Sequence, residues 1–115
     1  MPAFTPIFIP GLLCTEFLFA KQRAALSNAG LIGDTRRHDS IKEMEQFALD
    51  QCKGALVPVG LSMGGYVALE MARLSPERMA GMALLNTTAG HDSEDRCRER
   101  RQVIKLAAHS GFQGI

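Results

Sequence analysis

The sequence predicts an α/β protein: an open parallel sheet of about four strands with crossover helices, arranged as a three-layer sandwich. Short apolar runs alternate along the chain with longer segments of helical periodicity, which is the pattern of βαβ units. No internal repeat, low-complexity tract or Gly/Ser linker divides the 115 residues. With 46% hydrophobic residues the chain has enough apolar material for one small core, so a single domain is expected.

Capping and turn residues separate the expected elements. Thr15 and the Ser40–Glu43 capping box open the first two helices. Gly30, Lys53-Gly54 and Ser75-Pro76 end the first three. The expected strands span residues 6–10, 31–35, 55–59 and 79–85, and the expected helices span 16–29, the segment from the capping box to Lys53-Gly54, 64–74, and 93–108.

Pro58 conflicts with a regular central strand, because proline lacks the N–H that such a strand donates to its neighbour. A local bulge ahead of the turn at Gly60, or a strand less regular than its neighbours, would accommodate it. The sequence gives no reason to choose between these two interpretations.

Charge and hydropathy exclude several classes of partner. The net charge of +1 provides no field for nucleic acid or an anionic membrane. The apolar stretch at residues 7–13 is broken by Pro10 and Gly11 and follows no basic segment, so neither a signal peptide nor a spanning helix is expected. A soluble, cytoplasmic protein is therefore expected. The arginines of the last helix are interpreted as a solvated face rather than a nucleic-acid surface; they are Arg96, Arg98, Arg100 and Arg101.

The cysteines indicate reduced thiols. Cys14, Cys52 and Cys97 are odd in number, widely spaced and contain no CxxC pair. This usage fits neither a disulfide framework nor a zinc site. No metal and no organic cofactor are expected.

The motif that carries chemistry is Gly60-Leu61-Ser62-Met63-Gly64, a G-x-S-x-G sequence between an apolar strand and a helix. In this context it predicts a nucleophile elbow, with Ser62 at the tip of a strained turn. Gly60, Gly64 and the following Gly65 leave room where a Cβ would collide with neighbouring backbone. The N-terminus of the following helix carries the positive end of the helix dipole, which would stabilise the oxyanion that forms during acyl transfer.

The second oxyanion donor is expected in the loop after the first strand, Pro10 to Cys14. Right-handed crossovers would place the first and third strands side by side, with the second outside the first, and so bring this loop to the Ser62 turn. The backbone N–H groups of Leu12 and Met63 are the candidate donors. An ordinary glycine turn is the alternative interpretation; a phosphate-binding loop is not, because GLSMGG lacks the glycine spacing and the lysine.

At this point the chain resembles the α/β-hydrolase fold family, through IFIPGLLC, GLSMGGYVALEMA, SPERMAGMALLNTT and the charged helix that follows. The resemblance implies a partial α/β-hydrolase domain over residues 1–115, from the third to the sixth strand of that fold, with residues 91–115 as the start of the lid region. It implies Ser62 as nucleophile and Leu12 and Met63 as oxyanion donors. Pro10-Gly11 stands where many members have His-Gly.

The resemblance also implies that the acid and the histidine of the triad follow later strands, beyond Ile115, so the chain is expected to be a fragment or the product of a frameshifted gene. Asp92 follows the fourth strand, where the family sometimes places its acid, although an N-cap role is favoured. His38, His91 and His109 do not provide a convincing base.

Two functions are expected from these residues. The first is a serine hydrolase of small carboxylic esters or lactones that forms an acyl-Ser62 intermediate, with C–C bond cleavage also open. The second is a truncated, inactive fragment that acts at most as a binding or assembly module. The fourth strand would then be an exposed edge through which the chain self-associates.

Overall fold

The computed structural model describes residues 3–112, which form a four-stranded parallel sheet with the strand order β2-β1-β3-β4. The first and third strands are neighbours and the second lies outside the first, as the crossover argument predicts. The strands are β1 (Phe4–Ile9), β2 (Leu31–Ile32), β3 (Ala55–Leu61) and β4 (Ala83–Leu85), and the α-helices are α1 (Ala20–Ala25), α2 (Ile41–Asp50), α3 (Met63–Leu74) and α4 (Glu94–Ser110).

The alternation of side chains along β1 divides the core between the two faces of the sheet. Ile7 and Ile9 point to one face, where they are fully buried with residues of α2 and α3 such as Ala48 and Met71. Phe8 points to the other face and packs on Phe19 with the ring centroids 5.1 Å apart. Helical segments therefore contact both faces of the sheet: α2 and α3 cover one face, whereas on the other face Phe19 is buried and no residue of α1 is. The predicted α/β fold with a four-stranded parallel sheet is confirmed.

The first helix is shorter than the predicted span of residues 16–29. Thr15 caps a 3₁₀ turn over Glu16–Phe19, and α1 then runs only to Ala25. The following segment satisfies its polar groups locally, because the Asn28 side chain accepts from the Gly30 N–H at 3.0 Å. Such side-chain bonds to the backbone compete with continued helix.

The second strand is also shorter than predicted, since only Leu31 and Ile32 pair with β1. Asp34 ends it, because its carboxylate accepts from the Arg36 N–H and caps a 3₁₀ turn over Thr35–Arg37. The expected cap at Ser40 is present in the next helix, where the Ser40 hydroxyl accepts from the Glu43 N–H at 3.2 Å. Among the described residues the Glu43 side chain does not bond back to the Ser40 N–H, so only half of the capping box forms.

Pro58 lies inside β3, opposite Ile7 of β1, and interrupts pairing with the fourth strand. The Leu56 carbonyl accepts from the Ala80 N–H and so points toward the β4 side of the sheet. Pro58, two residues further along the strand, turns its nitrogen to that same side and has no N–H to donate there. Leu56 bridges Met79, and regular pairing resumes only at Val59 opposite Ala83. One extra residue on the β4 side forms a bulge there, and the strand predicted over 79–85 is reduced to Ala83–Leu85.

The last helix is capped by Ser93, whose hydroxyl accepts from the Arg96 N–H at 3.1 Å, and not by Asp92. Arg100 of this helix is not purely solvated, because it bonds Asp92 and the Tyr66 hydroxyl of α3. The predicted lid region continues to residues 113–115, which lie outside the described residues. Among residues 3–112, no helix combines the length and the apolar character needed to cross a membrane.

Candidate active site

Ser62 lies at the junction of β3 and α3 with φ 54° and ψ −113°, and its side chain is exposed. Left-handed backbone is unfavourable for a residue with a Cβ and costs about 1–3 kcal/mol, so surrounding structure must hold it. Part of that support is local, because the Gly65 N–H donates to the Ser62 carbonyl at 2.9 Å. The conformation and the exposure are those expected for a nucleophile at the tip of a strained turn.

The glycines on either side of Ser62 are sites of close backbone approach. A Cβ on Gly64 would lie 1.9 Å from the Ile9 carbonyl oxygen, and one on Gly60 would lie 2.3 Å from the Gly64 carbonyl oxygen. No rotamer relieves a collision with backbone. The absence of both side chains allows α3 to start directly above the ends of β1 and β3.

Gly65 is required for a different contact. A Cβ there would lie 2.5 Å from the Thr87 side chain, which comes from the segment after β4. The Thr87 hydroxyl donates to the Ser62 carbonyl at 2.8 Å. Thr87 thus connects the fourth strand to the Ser62 turn, and no motif in the sequence identifies it.

The loop after β1 turns directly beside Ser62. The Cys14 N–H donates to the Gly11 carbonyl at 3.1 Å, and Leu13 has φ 63°, the geometry of a type II turn. The position that a Cβ on Gly11 would occupy is 3.6 Å from the Ser62 Cβ. Within residues 3–112 neither the Leu12 nor the Met63 N–H donates a backbone hydrogen bond. Among the described residues both candidate N–H groups therefore lack a backbone acceptor, and both lie next to Ser62.

The candidate acid and bases are elsewhere. Asp92 forms an ion pair with Arg100 at 2.9 Å. None of His38, His91 and His109 hydrogen-bonds the Ser62 hydroxyl within the described residues. The same part of the chain contains no group of three His, Cys, Asp or Glu side chains that could hold a metal ion.

His38 lies nearer to this site than its position after an outer strand suggests. It lines a cavity of about 390 Å³ together with Leu12 and Met63. Its ring packs on Phe47 at 5.7 Å, and its Nδ1 is buried without a hydrogen-bond partner among the described residues. The sequence could not show this, because the path of residues 33–39 depends on the cap at Asp34.

Comparisons with known proteins support the fold. No protein-family model matches the sequence and no curated protein matches it. Solved structures do match. A thermophilic esterase from Thermogutta terrifontis, with malate bound, is 25% identical with a TM-score of 0.83, over 97% of this chain and 47% of the esterase. A marine microorganism esterase is 18% identical with a TM-score of 0.65, over 94% of this chain and 48% of the esterase.

The chain spans about half the length of each of these esterases. The match with the Thermogutta terrifontis esterase extends over 97% of this chain and therefore over nearly all of its sheet and helices. The chain therefore has the fold of an α/β-hydrolase-like esterase, over about half the length of the esterases it resembles.

Proposed function

We propose that the chain is the nucleophile-bearing part of a serine esterase that hydrolyses small carboxylic esters or lactones through an acyl-Ser62 intermediate. The observation that carries the proposal is the left-handed backbone of Ser62, exposed at a strand-to-helix turn that lies against the Gly11–Cys14 turn. Strained backbone held by its surroundings is characteristic of active sites. The esterase neighbours support hydrolysis of an ester.

The chemistry proceeds in two displacements. The Ser62 hydroxyl oxygen attacks the ester carbonyl carbon while a base takes the hydroxyl proton, and the carbonyl oxygen becomes an oxyanion that accepts from the Leu12 and Met63 N–H groups. Collapse expels the alcohol, which receives the proton. Water then attacks the acyl carbon by the same route and releases the acid and free Ser62.

The base is the part of this mechanism that the described residues do not provide. A serine without a base in hydrogen-bond reach is a weak nucleophile at neutral pH. We therefore expect slow reaction of the chain by itself and faster reaction when a soluble base such as imidazole is added.

Fluorophosphonate labelling tests the proposal. We expect slow labelling of the folded protein that rises with imidazole concentration and is lost in Ser62→Ala. Ser27→Ala removes another exposed serine and is expected to leave labelling unchanged. Labelling that survives in Ser62→Ala, or no labelling of folded protein even with imidazole, would contradict the proposal.

An inactive assembly module is the second candidate, and the β4 edge favours it. Leu84 and Leu85 are 40% and 43% exposed on a strand with no neighbour on its outer side among residues 3–112. Such an edge pairs readily with another chain. Light scattering after size exclusion is expected to give a mass above that of one chain, and a lower mass for Leu84→Lys. A well-folded monomer would exclude this candidate.

A further inference from the structure

One face of the sheet carries an apolar groove of about 570 Å³ that α1 leaves open. It lies on the side of Phe8, opposite α2 and α3, because alternate side chains along β1 and β3 point to opposite faces. Its lining side chains are uncharged, and the larger ones are Phe4, Pro6, Phe8, Leu26, Val57 and Val59.

A parallel sheet is normally buried on both faces, because helices cover each side. Here α2 and α3 cover the side of Ile7 and Ile9, whereas Phe4 and Leu26 of the groove remain half exposed. Exposed apolar side chains that form one concave surface mark a place where another apolar surface binds. Among residues 3–112 the groove therefore lacks a cover.

α4 has an apolar face that is equally without a partner. Val103, Leu106 and Ala107 lie on one side of this helix, because residues three and four apart are neighbours. Within the described part of the chain no residue of α4 is buried, and Val103, Ile104 and Leu106 are exposed. Lys105 is the only charged residue between positions 102 and 108. The second half of α4 thus has the polarity of a cover for an uncharged groove.

The α4 of the same chain does not cover this groove, because Arg100 holds it at α3. The Arg100 guanidinium donates to the Tyr66 hydroxyl at 3.2 Å and lies 6.0 Å from the centre of the Tyr66 ring. Tyr66 belongs to α3, which packs on the opposite face of the sheet. The α4 of a second chain is free of this constraint and keeps its own contact with Tyr66 when it binds.

We propose that the groove binds the second half of α4 from a second copy of this chain, so that each α4 of a dimer occupies the groove of its partner. The buried area favours this reciprocal arrangement. The five most exposed side chains of the two surfaces each have on the order of 100 Å² left to bury; they are Phe4, Leu26, Val103, Ile104 and Leu106. One docked helix then buries on the order of 500 Å², and only two reach the about 1,000 Å² that a specific interface needs. Reciprocal docking also closes the assembly at two chains.

Light scattering after size exclusion tests the inference in the Leu84→Lys variant, in which the exposed β4 edge no longer favours pairing. We expect the mass of two chains. Leu106→Glu in α4 and Leu26→Lys in the groove, each added to this variant, are expected to give the mass of one chain, because each buries a charge in an apolar contact. Leu74→Glu changes an equally exposed leucine outside both surfaces and is expected to keep the dimer.

An equal mixture of the Leu106→Glu and Leu26→Lys chains separates reciprocal docking from other arrangements. In the mixed dimer one docking joins an unchanged helix to an unchanged groove, and the other brings the introduced glutamate to the introduced lysine. The mass of two chains is therefore expected to return. Circular dichroism checks that each variant folds, and Phe4→Lys replaces Leu26→Lys if the latter does not fold.

Three results would overturn the inference. A folded monomer of Leu84→Lys would leave the groove to a different polypeptide. Loss of the dimer in only one of the helix and groove variants would mean that two helices, or two grooves, pair with each other. A mixture that stays monomeric would contradict reciprocal docking. Ser62→Ala is expected to keep the dimer, so the outcome is independent of fluorophosphonate labelling and of the proposed esterase function.

Discussion

The backbone N–H of Ser62 donates to the carbonyl of Leu85 at 2.9 Å. This bond joins the candidate nucleophile to the last residue of β4, two residues before the Thr87 hydroxyl that donates to the Ser62 carbonyl. Both backbone polar groups of the strained serine are thus bonded to the fourth strand and the residues after it. The unusual dihedral angles of Ser62 are held from outside the G-x-S-x-G motif.

Loss of the Thr87 hydroxyl is expected to loosen the Ser62 turn. Thr87→Val keeps the shape and removes the donor, and we expect a loss of about 1 kcal/mol in the free energy of unfolding. Slower imidazole-assisted labelling of Ser62 is expected with it. Thr87→Ser retains the hydroxyl and serves as the control in urea unfolding; equal behaviour of the two variants would contradict a role for the bond.

Removal of the Leu12 N–H tests the oxyanion assignment directly. Leu12 occupies the second position of the Gly11–Cys14 turn, where the type II geometry favours proline. Leu12→Pro is therefore expected to fold but to react with fluorophosphonate about 100-fold more slowly, the typical effect of losing one oxyanion donor. Leu12→Ala keeps the N–H and is expected to react as the parent does. Folding is checked by circular dichroism.

Substitution of two glycines is expected to have opposite effects. Gly64→Ala places a Cβ 1.9 Å from the Ile9 carbonyl oxygen and is expected to prevent stable folding. Gly54→Ala meets nothing within 4 Å and has ordinary backbone, so it is expected to stabilise the protein by about 0.4–1 kcal/mol by restricting the unfolded chain. Thermal unfolding of the two variants measures both effects, and a folded Gly64→Ala would show that the turn can move.

The sequence predicts the backbone around Ser62 well where local rules suffice. The strand before Ser62, the helix after it and the glycines around it form one short motif, and crossover handedness then places the Pro10–Cys14 loop. The ends of elements and the paths of loops are predicted poorly where hydrogen bonds between side chains and the backbone determine them. α1 ends at Ala25 with Leu26 already extended, the segment after it is held by the bond between Asn28 and Gly30, and the segment before His38 turns at the Asp34 cap. Hydrophobic periodicity does not show which of these hydrogen bonds form.

Arg78 connects three carbonyl groups that precede β3. Its guanidinium donates to the carbonyls of Leu49, at 2.8 Å, of Gly54, at 3.0 and 3.1 Å, and of Cys52. Arg78→Met would leave these acceptors without the charged donor, and we expect a loss of about 2–3 kcal/mol. Arg73→Met removes an exposed ion pair with Glu70 and a positive charge near Glu45, and is expected to cost about 1 kcal/mol or less in urea unfolding. Similar losses in the two variants would exclude the connecting role.

Glu45 of α2 is 2% exposed, and its burial, with the nearby Glu70 and Asp50 carboxylates, raises the pKa of its side chain. The folded protein therefore keeps this proton to a higher pH than the unfolded chain does. Below the pKa of the unfolded chain the group costs nothing. As pH rises through the window between the two pKa values the stability falls, and above the folded value the full cost of a buried charge is present.

Replacement of Glu45 by glutamine is consequently expected to raise Tm at pH 7 and to have no such effect near pH 3.5, where the carboxyl is protonated in both states. Glu99→Gln removes the same charge from the exposed side of α4 and is the matched control, with a smaller change in Tm expected at pH 7. The measurement is Tm of the three proteins between pH 3.5 and 8. A Tm of Glu45→Gln that matches the parent at every pH would mean that the Glu45 carboxylate reaches water in the folded protein, because only solvation removes the penalty of the buried charge.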